Sequence, residues 1–258
     1  MKKKELVELT TASIIITIII VMSIVPGIGY ITLGGVAITL IHIPALIGIF
    51  FLGKKYGIII ASFFGLLSML IAIVSAVDGI DVAFKYPHVS VLPRVIWGVI
   101  SVYGFRLLKR IKNDSMKFKV IINIIVVSIV SLLMVLSVLF LRREGNVLSG
   151  TNIYLVIGIA SFIEILFIFT FLKFENKKRD TYFYIPAAFI IFTFAHTILV
   201  FLALFIFMPS FVEEITGTTH FFSILMAEIA TNGIIEALLA MFLGTPIYIA
   251  LNNRYQNA

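Results

Sequence analysis

Three polar side chains recur at four-residue intervals in an otherwise apolar C-terminal stretch. They are Glu228, Asn232 and Glu236, within MAEIATNGIIEALLAMFLGTPIYIAL from Met226 to Leu251. On an α-helix that spacing places all three on one face, a turn apart. The stretch can cross a bilayer, which takes about 20 residues. A carboxylate at mid-bilayer costs about 2.5–3.5 kcal/mol on insertion scales, so this face should look at protein or water rather than lipid. Any small molecule that the chain handles is expected to meet this helix.

Other polar residues at membrane depth carry weaker signals. Arg94 lies in VLPRVIWG with Trp97 one turn further along. Such a pair can be an interfacial anchor, since Arg snorkels and Trp favours headgroups. It can equally be an anion clamp, because guanidinium is a fixed fork for carboxylate or phosphate. The local sequence admits both. His196 falls mid-way along an apolar run; a lone His there is more often an interhelical hydrogen bonder than a ligand. Glu164 suggests interhelical pairing. If the Asn232 face met Arg94 and Trp97, the result would be a pocket opening outward.

No motif for covalent or metal chemistry is present. FLGKKYG lacks the GxxxxGK[ST] pattern that cradles ATP phosphates, and no HExxH or GxSxG occurs. The four histidines lie in different segments and cysteine is absent, which removes thiol nucleophiles and thiolate metal sites. No catalytic residue, metal or cofactor is expected. Glu213 and Glu214 with two histidines bring intramembrane metalloproteases to mind, but the His spacing is missing.

What positions these residues is membrane architecture. The chain has 258 residues, 61% apolar and 13% charged, against about half and a quarter in soluble domains. This is an all-α polytopic membrane bundle forming a single domain. Apolar segments run Thr10–Val25, Gly35–Leu52, Tyr56–Ala76, Val91–Leu108, Phe118–Leu141, Asn152–Leu172, Tyr182–Phe207 and Phe221–Leu251. The first is short, and His42 and Pro44 break the second. The N-terminus, MKKKELVELTTAS, is basic and no A-x-A site follows, so it reads as a retained signal anchor.

With the N-terminus inside, Lys2, Lys3, Lys4, Lys54, Lys55, Arg106, Lys109, Arg110, Lys112, Lys117, Lys119, Lys173, Lys177, Lys178, Arg179 and Arg254 face the cytoplasm. Only Lys85, Arg94, Arg142 and Arg143 fall outside. Eight spans with both termini cytoplasmic predict that bias. It also explains the net charge of +7 without invoking nucleic acid. Gly57, Ala61 and Gly65 form a small-residue face suited to close helix packing, and Ser13 with Thr17 a weaker one. The outer loops PGIGYITLGG, 77–90 and 208–220 read either as solvated turns or, in the first two cases, as something more.

Three segments carry a family resemblance: ITLGGVAITLIHIPALIGIFFLGKKYGIIIASFFGLLSML (Ile31–Leu70), LPRVIWGVI (Leu92–Ile100) and ATNGIIEALLAMFLGTPI (Ala230–Ile247). In their order and spacing they resemble substrate-binding (S) components of energy-coupling factor (ECF) vitamin transporters, nearest the pantothenate-type branch. The resemblance implies a six-helix core with both termini cytoplasmic and a vitamin site near the outer face. It also implies docking on a transmembrane coupling subunit that carries two ATPase subunits. Arg94 and Asn232 match motif positions and are expected to line the site. Trp97, His196 and Glu228 join them by neighbourhood, while Glu236 reads as structural.

Two departures follow. Eight apolar segments against six imply that 118–172 is an inserted transmembrane hairpin. The small-residue docking face of helix one is reduced to Ala12, Ser13 and Thr17, the expected partner-interface residues. The functional expectation is capture of a small water-soluble vitamin, pantothenate first, with ATP hydrolysis on the partners. An ion-coupled secondary transporter using Glu228 and Glu236, or a non-binding structural subunit, are the competing expectations.

Overall fold

The computed structural model describes residues 3–25, 27–33, 36–77, 79–110, 184–217 and 220–256, with 124–126, 128–133, 135–136, 158, 161–162 and 165 between them. The expected hairpin at 118–172, Glu164 and Asp78 lie wholly or mostly outside these residues. The architecture is helical with one small sheet. Helix α1 (Lys3–Ile24) leads through strands β1 (Tyr30–Leu33) and β2 (Val36–Thr39) into α2 (His42–Leu52) and α3 (Lys54–Ser75). A 3₁₀ turn (Ile80–Lys85) precedes α4 (Pro87–Arg110). Then come α5 (Tyr184–Phe207), the short α6 (Pro209–Thr216) and a last helical run, α7 (221–256).

Among the described residues, five helices are long and apolar enough to cross a membrane: Lys4–Ile24, Lys54–Ser75, Pro87–Arg110, Tyr184–Phe207 and Ile234–Tyr255. Their outward faces carry residues such as Ile14, Val21, Leu70, Ile100 and Ile206, all exposed, as lipid contact requires. Helix α1 begins seven residues before the expected Thr10, with Glu5 in its first turn, where a carboxylate suits the helix dipole.

The expected second span is a correction. Gly35–Leu52 is not one helix but β2 followed by α2, and 11 residues reach only about 16 Å. The physical reason lies in composition. YITL and VAIT are rich in β-branched residues, which pack well on a pleated surface. They pair antiparallel with Leu33 opposite Val36 and Tyr30 opposite Thr39. Pro44 then sits in the first turn of α2, where its missing N–H costs nothing, so it starts that helix rather than kinking one.

A methyl group on Gly48 would approach Ile60 Cδ1 to 2.6 Å and Ile15 to 3.2 Å, so α2 is wedged between α1 and α3. Gly53, at φ 71°, turns the chain sharply into α3. The small-residue face of α3 packs on α4 as its spacing implied. A Cβ on Gly65 would meet Val91 Cα at 2.9 Å, and one on Gly98 would collide with Ala61. The central core therefore holds Ile19, Leu46, Ile49, Ile60, Trp97, Ile185 and Phe189, all fully buried.

The segments 79–90 and 208–217 are more than solvated turns. Ala83, Val89, Val200, Leu204, Val212 and Ile224 form a second buried cluster, joining the 3₁₀ turn, α4, α5, α6 and α7. Helix α6 starts with Pro209 and ends on Gly217 in the left-handed conformation, the usual start and stop for a short helix.

Candidate functional site

Proline and arginine act together in VLPR. Inside α4, the backbone N–H of residue 93 would normally bond the carbonyl of Val89, but Pro93 has none. That freed carbonyl instead accepts a hydrogen bond from Arg94 Nη1 at 2.8 Å. Arg94 is only 5% exposed, so its guanidinium is folded into the bundle rather than snorkelling outward. Phe84 of the 3₁₀ turn lies 4.9 Å from the guanidinium carbon and Phe64 of α3 lies 5.9 Å away, both within cation–π range. Arg94 Nε has no hydrogen-bond partner, and among the described residues no carboxylate pairs with the charge.

Next to it is an aromatic cluster. Trp97 is completely buried, and its Nε1 donates to the carbonyl of Phe192 on α5 at 2.7 Å. Its only polar atom is thus taken by the fold, and the indole supplies a wall rather than a hydrogen bond. The His196 ring stands 5.0 Å from Trp97, 5.5 Å from Phe64 and 6.0 Å from His42, centroid to centroid. His42 is fully buried with both ring nitrogens unpartnered, and His196 Nε2 is likewise unpartnered. The backbone of Thr39 is the polar group that approaches His42.

The acidic neighbourhood is built differently. Residues Ile229–Gly233 form a π turn, closed by Ile234 N–H to the Ile229 carbonyl. A second π turn spans Ala240–Gly244. In an α-helix, four residues overshoot a full turn by about 40°. A turn closed by i→i+5 bonds winds less per residue and offsets part of that drift, as π-bulges at functional sites often do. Glu228 Oε1 accepts from Asn232 Nδ2 at 2.9 Å, while Asn232 Oδ1 is buried without a partner. Glu236 Oε1 accepts the Thr39 backbone N–H at 2.6 Å, pinning β2 to α7.

Tyr30, on the same hairpin, links the two neighbourhoods. It lies within electrostatic reach of Arg94, Asp81 and Glu236. Of the residues singled out from sequence, Arg94, Trp97 and His196 come together, and Glu228 with Asn232 form a pair beside the hairpin. His42 and Phe64 had not been singled out as site residues. His42 showed only as a histidine that, with Pro44, breaks an apolar segment, and Phe64 left no signal. Glu236 is structural as expected, but its partner is the hairpin, invisible without the fold.

The expected partner face needs one correction. Ala12 is 3% exposed and packs inward with Ile15 and Ile19, so its side chain meets the chain's own core. Ser13 and Thr17 remain on the exposed face, their hydroxyls donating to the carbonyls of Leu9 (3.0 Å) and Ser13 (2.9 Å). That leaves a small, internally satisfied stripe.

The family model described as "ECF transporter, substrate-specific component" matches residues 7–167, more than half of the chain. The chain belongs to this family. No curated protein matches it. The matched range includes the hairpin, α2, Arg94 and Trp97, runs on into 118–167, and ends before His196, Glu228 and Asn232. An ECF substrate-specific component is a membrane-embedded, substrate-binding transporter subunit. Membership therefore makes this a multi-pass cell-membrane protein that takes a small-molecule substrate and works with ECF transmembrane and ATPase subunits.

Proposed function

We propose that this ECF substrate-specific component captures a small anionic, water-soluble vitamin or related nutrient at the outer half of the bundle, with pantothenate as the favoured ligand. Both termini lie in the cytoplasm on this reading. Arg94 holds the carboxylate, while Trp97, Phe64 and His196 form the wall beside it. Asn232, braced by Glu228, meets the ligand from α7. The hairpin closes over the bound molecule. A coupling transmembrane subunit and two ATPase subunits then drive import, and the exposed Ser13–Thr17 face of α1 is available to that contact.

One observation carries the reading: a guanidinium 5% exposed, hydrogen-bonded to a carbonyl, with a free Nε and, among the described residues, no carboxylate opposite it. A buried charge without a partner is costly, and an anchoring arginine would instead reach for headgroups. A carboxylate ligand supplies both the counter-charge and the acceptor for Nε.

The test is isothermal titration of the purified protein with pantothenate, beside Arg94→Ala. Wild type binds in the nanomolar range and the variant far more weakly. Equal affinity in both proteins overturns the clamp.

A further inference from the structure

Two buried imidazoles stand beside the arginine with three ring nitrogens unpartnered: Nδ1 and Nε2 of His42 and Nε2 of His196. Their exposures are 0% and 9%. Resting on the carboxylate site argued above, we propose that His42 and His196 form a second recognition point that reads a hydroxyl group of the same ligand. The substrate class is then a hydroxylated carboxylic acid.

The geometry narrows what the pair can read. The two rings are nearly parallel, 11° apart at 6.0 Å between centroids. Two imidazoles alone are fewer ligands than a metal centre takes from a protein. Among the described residues no group of three or more His, Asp or Glu could hold an ion. Stacking on an aromatic ligand is disfavoured as well. His196 is already flanked by Trp97 at 62°, by Phe64 at 31° and by His42. With the His196 ring flanked on several sides, its in-plane edge is left for recognition.

As neutral imidazoles the rings each offer one donor and one acceptor. A hydroxyl both donates and accepts, so it can bridge a ring nitrogen and a ring N–H at once. A carboxylate only accepts and belongs with Arg94. Thr193 Oγ1, nearly one turn before His196 on α5 and also buried without a partner, is a further hydroxyl partner. Other groups facing the pair are the Thr39 backbone, at His42, and the Arg94 guanidinium, at His196.

The experiment uses the full chain in detergent and two probe acids. One is pantothenate, the other N-(3,3-dimethylbutanoyl)-β-alanine, which keeps its carboxylate, amide and bulk but lacks both hydroxyls. Wild type should prefer pantothenate by at least ~10-fold. His42→Leu and His196→Leu stay close to the imidazole side-chain volume and remove the nitrogens. Each should weaken pantothenate ~10-fold or more while changing the deoxygenated acid by less than ~3-fold.

Melting of the ligand-free variants gives a second readout. Removing unpartnered buried nitrogens should leave Tm unchanged or raise it, as happens when a binding residue is removed. A fall of several degrees means that the histidines serve packing, and overturns the proposal. Equal weakening of both acids, or wild type binding both acids equally, does so too. Arg94→Ala separates the two readings, because the clamp predicts loss of both acids alike. If Arg94→Ala changes neither acid while the histidine variants still discriminate, the clamp fails and the hydroxyl site stands. If wild type binds neither acid, both readings fail for this ligand class.

Discussion

The molecule carries two polar neighbourhoods, and they differ in what has been satisfied. On the α4–α5 side, Arg94 Nε, both nitrogens of His42 and Nε2 of His196 are buried without partners. On the α7 side, each carboxylate is engaged: Glu228 with Asn232, and Glu236 with the hairpin backbone. Unpartnered buried donors cost stability and persist where something else is to be bound. Engaged carboxylates, by contrast, hold structure. On the function proposed above, the basic wall is the recognition surface and the acidic wall chiefly fastens the hairpin, with Asn232 Oδ1 left unpartnered beside it.

The sharpest way to break this comparison is to mutate one residue on each wall. Arg94→Ala should weaken pantothenate binding ~100-fold, about 2.7 kcal/mol, because the ligand charge loses its buried partner. Glu228→Gln keeps an acceptor for Asn232 and should change affinity by less than ~3-fold. Titration calorimetry on both decides it. If the Glu228 variant loses as much as the Arg94 variant, the acidic wall is also a recognition surface.

The next effect separates fastening from recognition. Glu236→Ala removes the acceptor for the Thr39 N–H, a hydrogen bond worth about 0.5–1.5 kcal/mol. The hairpin should then be cut faster by protease, and ligand should leave ~10-fold faster. Glu236→Gln retains an oxygen at the same place and should recover most of the wild-type off-rate. An Ala variant with unchanged proteolysis and off-rate would mean that other contacts hold the hairpin.

Much of this arrangement was legible in the sequence, for physical reasons that also explain the gaps. Helices α3, α4, α5 and α7 announce themselves because lipid demands long apolar runs with satisfied backbones. The Gly57–Ala61–Gly65 face was readable as packing because only small residues permit close backbone approach. The hairpin was not readable, since hydropathy treats a β-branched apolar strand and half a membrane helix alike. His42 was missed with it. Glu236 could be called structural from its depth, but the bond to Thr39 joins residues 197 positions apart and has no local trace. Arg94 was ambiguous between anchor and clamp because its burial has no local trace in the sequence. The π turns on α7 left no sign in the four-residue spacing.

A subtler change acts on Arg94 without touching it. Pro93→Ala restores a backbone N–H that can bond the Val89 carbonyl, so that carbonyl is no longer reserved for Arg94. The helix should gain stability, since interior proline costs about 3 kcal/mol relative to alanine. Affinity should nevertheless fall ~5-fold, because the guanidinium loses its hydrogen bond to that carbonyl and with it a fixed position. Opposite signs in melting temperature and affinity distinguish a positioning proline from a merely tolerated kink. Gains in both would show that the proline does not orient the arginine.

The smallest expected effect concerns Trp97, which sits on the recognition side yet has its polar atom already satisfied. Trp97→Phe removes the 2.7 Å bond to the Phe192 carbonyl and part of a fully buried side chain. The lost bond alone should lower stability by about 1 kcal/mol, with a further loss from the smaller ring. Affinity should move less than ~3-fold, because a flat apolar wall remains beside His196. The two losses are read separately, by thermal melting and by titration. An affinity loss comparable with that of Arg94→Ala would mean that the indole contacts the ligand directly. The division between satisfied and unsatisfied groups would then fail on the very wall where it is drawn most sharply.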